Sequence, residues 1–324
     1  MATVTKSIGA TARDYSTITL WEADLDDTGI YSASDDAVGE CYNDSPFDET
    51  VIVNGGGTVG LNLATLSVAS GERHDGTAGT GVRMFATDNI YLQFMDGPTT
   101  GYEIEWFEFD ANGYFSDSAN YGVIGGNDSG APVLDIRNCL VHGVAATGWG
   151  EHANGIVSGW SADHTATNCV VYDLASTNAS NSRGKGIGSR HAGGGIHKHY
   201  NCTVHDVTTG SSDGVGFNQK GSSSCTSQNC ISTGCDIDFD ITNGTLSYDA
   251  SSDATATGTG SITSITTADQ YVSTVGGSED LHLKAGSDCI DAGTDLGTTP
   301  TGVNIDINGR DRDAEADTWD IGAH

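Results

Sequence analysis

The sequence predicts an all-β protein, a right-handed parallel β-helix in which short strands stack coil upon coil. Two markers that recur about every 30 residues predict this solenoid. The composition agrees, because glycine supplies 45 of 324 residues, proline only 4, and charged residues 18%. Such a chain suits many short strands joined by tight turns rather than long solvated helices.

The first marker is the dipeptide Asn-Cys at the start of a strand-like segment. Its cysteines are Cys139, Cys169, Cys202 and Cys230, at successive distances of 30, 33 and 28 residues. An earlier segment, Ile104–Phe109, fits the same frame 32 residues upstream, with Phe107 in the cysteine position. The segments are short and rich in β-branched residues, so they predict strands rather than the long amphipathic helices of two-helix repeats.

The second marker is a glycine followed by an apolar residue. It occurs at Gly122, Gly155, Gly186 and Gly214, with steps of 33, 31 and 28 residues. Two markers of nearly the same period indicate stacked repeats. Parallel stacking would place equivalent side chains ~4.8 Å apart.

Each repeated position has a predicted role. The cysteine would face inward, and the preceding asparagine would adopt the left-handed conformation and bond to the asparagine one coil away. The cysteine column is expected to be buried thiols, because in-register cysteines on parallel strands lack disulfide geometry as a rule. Disulfides between coils are the alternative, and Cys225 with Cys235 stays open as a pair. No Cys-x-x-Cys pair is present to favour structural zinc.

Three regions follow from these patterns. They are an N-terminal cap over residues 1–36, the parallel β-helix over 37–245, and loop-rich C-terminal coils with a capping segment over 246–324. Residues 250–268 are a Ser/Thr/Ala/Gly tract, which marks the change. Both open ends of a stack need a cap.

A short amphipathic helix is predicted in the N-terminal cap. Ser16 or Thr17 would be its N-cap, and Leu20, Trp21 and Leu25 would form its apolar face. This helix is expected to lie over the first coil.

The charge limits the partners. The net charge is −31, from 13 basic against 44 acidic residues. Such a surface repels phosphate backbones and anionic membranes, so neither nucleic acid nor a membrane is an expected partner. A polyuronate is also disfavoured, unless a local cationic cleft overrides the global field. No apolar run reaches the ~18 residues that cross a membrane, and no signal peptide is visible.

Several segments resemble known β-helix proteins. The order Cys289-Ile-Asp-Ala-Gly, Asp306-Ile-Asn-Gly-Arg, Asp320-Ile-Gly-Ala-His is similar to the C-terminal block of many bacterial and phage β-helix proteins. The Asn-Cys repeats resemble the pectate-lyase-like superfamily, and the segment from Asp14 resembles phage-encoded β-helix proteins. The resemblance implies the fold, and a turn at residues 306–313 that closes the stack. It does not select among lyases, hydrolases, adhesins and virion spikes.

One outward column beside the cysteines carries candidate catalytic residues. It contains His142, Tyr172 and His205, followed by Asp173 and Asp206. Asp173 and Asp206 would lie one coil apart, a spacing that suits a glycosidase. Alternatively both carboxylates cap turns, or they bind calcium. No other metal or cofactor is expected.

A second wall follows the glycine marker. Trp160 and His191 would face outward there, flanked by Arg190 and Lys220. In a lyase, the basic residues would remove a proton and stabilise the resulting charge, with Trp160 as a platform for the sugar. Charge balance on an acidic wall is the alternative interpretation.

Five histidines fall close together in this frame. They are His152, His164, His191, His197 and His199. A transition-metal cluster is one interpretation, since histidine is the commonest ligand of such metals. No spacing forces three rings together, so a solvent-facing ladder is the favoured interpretation.

Two functions from different classes follow. The first is a phage virion-associated protein, a spike, fibre or capsid decoration on the particle surface and extracellular after release. It would form a homo-oligomer, with a trimer favoured, contact other virion proteins and bind host glycans. The proposed glycan contacts are Trp149, Trp160, Tyr172, Arg190, His191 and Lys220. The alternative is a glycan hydrolase on the same scaffold, with a lyase less favoured because of the charge.

Overall fold

The chain winds into a solenoid of three parallel β-sheets. The computed structural model describes residues 2–85, 87–95, 97–114, 122–126, 133–148, 151–159, 162–177, 183–190, 194–219, 221–314 and 318–324. Within these ranges sheet A has nine strands, sheet B eight and sheet C seven. Neighbouring strands pair in parallel, and successive strands along the chain pass from sheet to sheet. This arrangement fits a right-handed parallel β-helix, so the predicted fold class is confirmed.

The strands of each sheet follow one another along the axis of the stack. Sheet A contains Thr3–Ile8, Asp36–Cys41, Leu63–Val68, Gly101–Glu105, Val133–Arg137, His164–Thr167, Ile196–Tyr200, Ser224–Gln228 and Gly244–Ser247. Sheet B contains Arg83–Phe85, Glu108–Asp110, Leu140–Ala146, Val170–Ser176, Thr203–Thr209, Ile231–Thr233, Ala250–Ser251 and Ile262–Thr263. Sheet C contains Val51–Val53, Leu92–Phe94, Ile124–Gly126, His152–Ser158, Arg183–Ser189, Gly214–Asn218 and Ile237–Asp240. The remaining elements are an antiparallel hairpin of Tyr271–Val275 and Ser278–Leu283, the helices Ile18–Ala23 and Thr267–Gln270, and a 3₁₀ turn Arg312–Ala314.

The repeated cysteines form a buried column at the corner between sheets A and B. Each immediately precedes a sheet B strand and is fully buried, as is Phe107 in the same position. The strands pair in register, Leu140 with Val170 and Val170 with Thr203, so the thiols stack coil upon coil. All eight cysteines lie among the described residues and are free thiols, Cys225 and Cys235 included. The prediction of thiols rather than disulfides is therefore confirmed.

The asparagines before the cysteines form a hydrogen-bonded ladder. Asn138, Asn168, Asn201 and Asn229 have φ of 51°, 52°, 50° and 55°. Asn201 Nδ2 donates to Asn168 Oδ1 at 3.1 Å, and Asn229 Nδ2 donates to Asn201 Oδ1 at 3.0 Å. The predicted left-handed backbone and the predicted ladder are both confirmed. Trp106 and Tyr248 hold the same position with φ of 67° and 54°, so the turn itself demands this conformation.

Replacing Asn201 tests the ladder. We expect Asn201→Ala to lower the free energy of unfolding by about 3 kcal/mol, because ladder hydrogen bonds are lost and alanine is strained at positive φ. Asn201→Gly removes the same bonds without that strain and should recover about 1 kcal/mol. Urea unfolding of both variants measures the difference. Wild-type stability in Asn201→Ala would contradict the ladder's role.

The predicted N-terminal helix is present and contacts Thr3–Ile8 and Val51–Val53, the first strands of sheets A and C. It begins after Thr17, whose side-chain oxygen accepts from the Leu20 N–H at 3.2 Å. Ile18, Trp21 and Leu25 are buried in the core, whereas Leu20 is 50% exposed. The prediction of Leu20 on the apolar face is wrong, because a helix starting after Thr17 places its inward stripe at i, i+3 and i+7.

The C-terminal tail runs back along the side of the stack. Asn229 Nδ2 donates to the Thr294 carbonyl at 2.8 Å, and the Thr294 N–H donates to Asn229 Oδ1 at 2.9 Å. Further along the tail, the Asp306 carbonyl accepts from Asn138 Nδ2 at 2.8 Å. The expectation that residues 306–313 close the stack is therefore wrong. Each side-chain amide of the ladder has a second N–H that the ladder itself does not use. The tail lies where its backbone carbonyls accept hydrogen bonds from these N–H groups.

A second apolar cluster joins the C-terminal region to the outer face of sheet B. It contains Leu140, Val170 and Ile231 from sheet B, Tyr271 and Leu281 from the hairpin, and Cys289, Ile307 and Ile321 from the tail. Burial of these side chains removes apolar area from water and fixes the hairpin against the sheet. A cleft remains where the hairpin turn stands off the sheet.

Candidate active site

A polar column on the outer face of sheet B forms the floor of this cleft. Asp110, His142 and Tyr172 are register partners on successive parallel strands. The rings of His142 and Tyr172 stack, with centroids 5.0 Å apart and planes 6° apart. The regular spacing of the coils thus brings together side chains that are far apart in sequence.

The cleft has a volume of about 430 Å³, with a floor and two borders. Asp173 continues the floor beside Tyr172. Thr77 and Ala78 supply a loop at one border, and the hairpin turn Gly277–Glu279 supplies another. The cleft is therefore built from three separate parts of the chain.

Packing on sheet B holds the hairpin that carries Glu279. The Tyr271 ring lies 5.7 Å from the His205 ring, and its hydroxyl accepts from Thr233 Oγ1 at 3.2 Å. Gly277 makes the tight turn with φ of 74°, a conformation that favours glycine. These contacts place the Glu279 side chain at the cleft.

A backbone requirement explains one part of the aspartate pattern. Asp173 and Asp206 both have φ of 54°, and Gly143 holds the equivalent position one coil earlier with φ of 70°. Aspartate and glycine are among the residues that tolerate this conformation. Both aspartates lie within strands of sheet B, Val170–Ser176 and Thr203–Thr209, so each serves a local change of backbone direction in its strand, and this does not prevent a chemical role for the carboxyl groups.

The electrostatics of Asp173 favour its protonated form. Burial raises the pKa of this carboxyl above its ordinary value, and the nearby carboxylates of Glu279 and Asp206 act in the same direction. His142 opposes the shift more weakly. Asp173 therefore holds a proton more readily than an ordinary aspartic acid.

Asp110 and His142 of the floor form a compact group of possible metal ligands with Glu108, which is buried beside them. His142 Nε2 lies 3.0 Å from Glu108 Oε1, and His142 Nδ1 lies 3.9 Å from Asp110 Oδ1. One donor atom from each residue lies within 4.8 Å of the other two. The fully buried Glu108 also accepts from the Gly79 N–H at 2.7 Å, which fixes its orientation.

The structure brings two of the predicted site residues together at the cleft. Asp173 and Tyr172 line the cleft. Tyr172 is only 4% exposed, so its ring is part of the floor and does not offer an open face on which a sugar ring could stack. Asp206 lies one coil further on, is exposed, and is not among the residues that line the cleft. The predicted contacts Trp149, Trp160, His191 and Lys220 lie outside the described residues.

Arg190 belongs to a different wall. It follows the sheet C strand Arg183–Ser189, and its N–H donates to the Ser158 carbonyl at 2.9 Å. Burial, and then the charges of Arg183, Lys185 and Arg190, lower the pKa of His152 to about 4. This wall is thus a local concentration of positive charge on a strongly acidic protein.

The histidines expected on the surface lie in the core instead. His164 and His197 are each 1% exposed and His199 is fully buried. His164 Nε2 lies 3.2 Å from His199 Nε2, and its Nδ1 lies 2.9 Å from His197 Nδ1. Burial lowers the pKa of His197 to about 4 and of His199 to about 3, so the rings are neutral. The surface-ladder prediction is wrong, because His164 pairs in register with Leu134, at an inward position.

Sequence reasoning missed Glu108, Asp110 and Glu279. The sequence repeat could have indicated Glu108 and Asp110, because Phe107 in the cysteine position of the repeat places Asp110 in register with His142. No repeat reaches Glu279, whose position depends on how the hairpin packs.

Comparisons with known proteins returned no relative. No protein-family model matches the chain, and neither does any curated protein or any solved structure. The likeness to pectate-lyase-like and phage proteins therefore stays a resemblance of motifs. Among the described residues, no helix has the length and apolar character needed to span a membrane.

Proposed function

We propose that the cleft on sheet B binds a glycan and hydrolyses one of its glycosidic bonds. One observation carries the proposal: Asp173 and Glu279, from separate parts of the chain, border the same cleft. The raised pKa of Asp173 suits an acid that must hold a proton. Hydrolysis of glycosides needs two carboxyl groups with different protonation states at one site.

The two carboxyl groups have complementary roles in this reaction. Protonated Asp173 gives its proton to the glycosidic oxygen as the bond to the sugar carbon breaks. The Glu279 carboxylate either attacks that carbon or accepts a proton from the water that does so. The products are a new reducing end and a free hydroxyl group. Water supplies the remaining atoms.

The cleft favours a neutral or amino sugar. Asp110, Asn112 and Ser278 are among the polar residues that line it, and such groups match sugar hydroxyls. The carboxylates of Asp110 and Glu279, together with the net charge of −31, would repel a uronic acid. A host-surface glycan of neutral residues fits these conditions.

A depolymerisation screen tests the proposal. Purified protein is incubated with neutral, amino-sugar and uronic-acid polysaccharides, including bacterial capsules and lipopolysaccharide, and reducing ends are measured. We expect release from a neutral or amino-sugar polymer. No release from any polymer, or release from polyuronates alone, would overturn it.

The virion-associated role stays a prediction, and a hydrolase or glycan-binding cleft is compatible with it. A spike on a phage surface would use the solenoid as a stiff rod and assemble as the predicted trimer with other virion proteins. Labelled antibody on purified particles and sedimentation of the isolated protein are the relevant measurements. Absence from particles would end this hypothesis without affecting the hydrolase proposal.

A further inference from the structure

We propose that Glu108, Asp110 and His142 bind one divalent transition-metal ion at the floor of the cleft, with Zn²⁺ as the reference ion. The proposal concerns the same cleft but does not depend on hydrolysis. It starts from three side chains that two adjacent strands of sheet B hold in fixed register.

The donor atoms lie close enough for a shared ion after a modest rearrangement. One donor atom from each of the three residues lies within 4.8 Å of the other two. Bonds of 2.0–2.2 Å from zinc to nitrogen and oxygen place neighbouring donors roughly 3 to 3.6 Å apart. One ion takes a single nitrogen of the His142 ring, so side-chain shifts of roughly 1 Å would complete the geometry, and two or more positions of the ion would stay free for water or a sugar hydroxyl.

Burial of Glu108 is an independent argument for a cation. Its side chain has no exposed surface, and within the described residues it has no ion pair with lysine or arginine. Its partners are His142 and the Gly79 N–H. A buried carboxylate without a full positive partner is costly, and a metal ion would supply the missing charge.

Neighbouring groups already orient the ligands. The Asn112 N–H donates to Asp110 Oδ1 at 2.9 Å, and Arg83 Nη1 lies 3.5 Å from Asp110 Oδ2. Tyr172 fixes the plane of the His142 ring by stacking. Such supporting contacts preorganise metal ligands and limit the entropy lost on binding.

The donor set selects the class of ion. One imidazole nitrogen with two carboxylates suits zinc or manganese, whereas calcium takes six to eight oxygen ligands.

Calorimetric titration of the chelator-treated protein with ZnCl₂ tests the site. We expect one saturable equivalent of Zn²⁺, and affinity reduced at least about tenfold in His142→Gln and in Glu108→Gln. His205→Gln is the matched control, because His205 lies in the same column one coil beyond Tyr172. Co²⁺ in place of Zn²⁺ should give the visible absorption of a nitrogen-containing site in wild type and control.

Three outcomes would overturn the proposal. They are no saturable Zn²⁺ binding, equal affinity in wild type and both variants, and a preference for Ca²⁺ that His142→Gln leaves unchanged. Glu108→Gln preserves the shape of the side chain, so it decides the question if His142→Gln does not fold. Absence of Zn²⁺ binding in a wild-type protein that still hydrolyses a glycan would reject the metal site alone.

Discussion

Asp173→Asn is expected to slow the release of reducing ends by about 10²- to 10⁴-fold, the usual contribution of a general acid. An amide cannot give up a proton at neutral pH, so the leaving oxygen would depart unassisted. Glu279→Gln is expected to cause a loss of the same order, because the second carboxylate of the reaction is removed. Initial rates on the polymer identified by the screen measure both effects.

The substitution is chosen to leave the backbone intact. Asp173 has φ of 54°, and asparagine is among the few residues that adopt this conformation readily. Asp206→Asn is the matched control, since Asp206 has the same φ in the equivalent position of the next coil and is not among the cleft-lining residues. We expect its activity to stay within a few-fold of wild type.

The comparison also separates two models of catalysis. Equal large losses in Asp173→Asn and Asp206→Asn, with Glu279→Gln active, would favour the pair predicted from sequence over the pair that borders the cleft. Full activity in Asp173→Asn would reject Asp173 as the acid. Circular dichroism of each variant shows whether the fold is retained.

The second large effect concerns Asp249, which continues the cysteine column. Its Oδ1 accepts from the Cys230 N–H at 2.8 Å, just as Cys230 Sγ accepts from the Cys202 N–H at 3.5 Å. The side chain is fully buried, and its Oδ2 has no hydrogen-bond partner. Burial raises the pKa of this carboxyl from 3.8 to about 8. The folded protein therefore holds Asp249 protonated at neutral pH.

Asp249→Asn is expected to raise the free energy of unfolding by about 4 kcal/mol at pH 7. The pKa of Asp249 in the folded protein lies above its unfolded value. Its contribution to wild-type stability is therefore fully present below pH 3.8 and declines as the pH rises towards about 8. One pH unit corresponds to about 1.4 kcal/mol, and pH 7 lies about three units above the unfolded pKa. Asparagine has the shape of the neutral acid and carries no such penalty.

Urea unfolding at several pH values checks this prediction. The gain in Asp249→Asn should be near zero at pH 4 and should grow steadily to pH 8. The buried histidines have lowered pKa values, so they make the protein less stable as the pH drops below about 6.5. This effect is common to wild type and variant, and it cancels when their free energies of unfolding are subtracted. A gain that does not change with pH would mean that Asp249 ionises normally in the folded protein.

Local patterns in the sequence were sufficient to predict the β-solenoid scaffold. The asparagine before each cysteine predicted the left-handed turn and the ladder, because both depend on one residue and its copy in the next coil. The same logic predicted the free thiols. Alternation along each strand was less reliable, and it failed for His164, where the inward position holds a polar residue. A polar side chain gives no local sign that neighbouring histidines in the core will satisfy it.

The sequence by itself determined the stacked coils and their order, since a repeat that satisfies its own hydrogen bonds at every turn needs only the adjacent coil. The cleft was decided by the tertiary structure. Glu279 lies at the same cleft as Asp173 because apolar side chains after residue 270 pack on the outer face of sheet B. Asn138 and Asn229 bind the returning tail. These contacts occur once in the chain and join segments distant in sequence, so no period or motif could predict them.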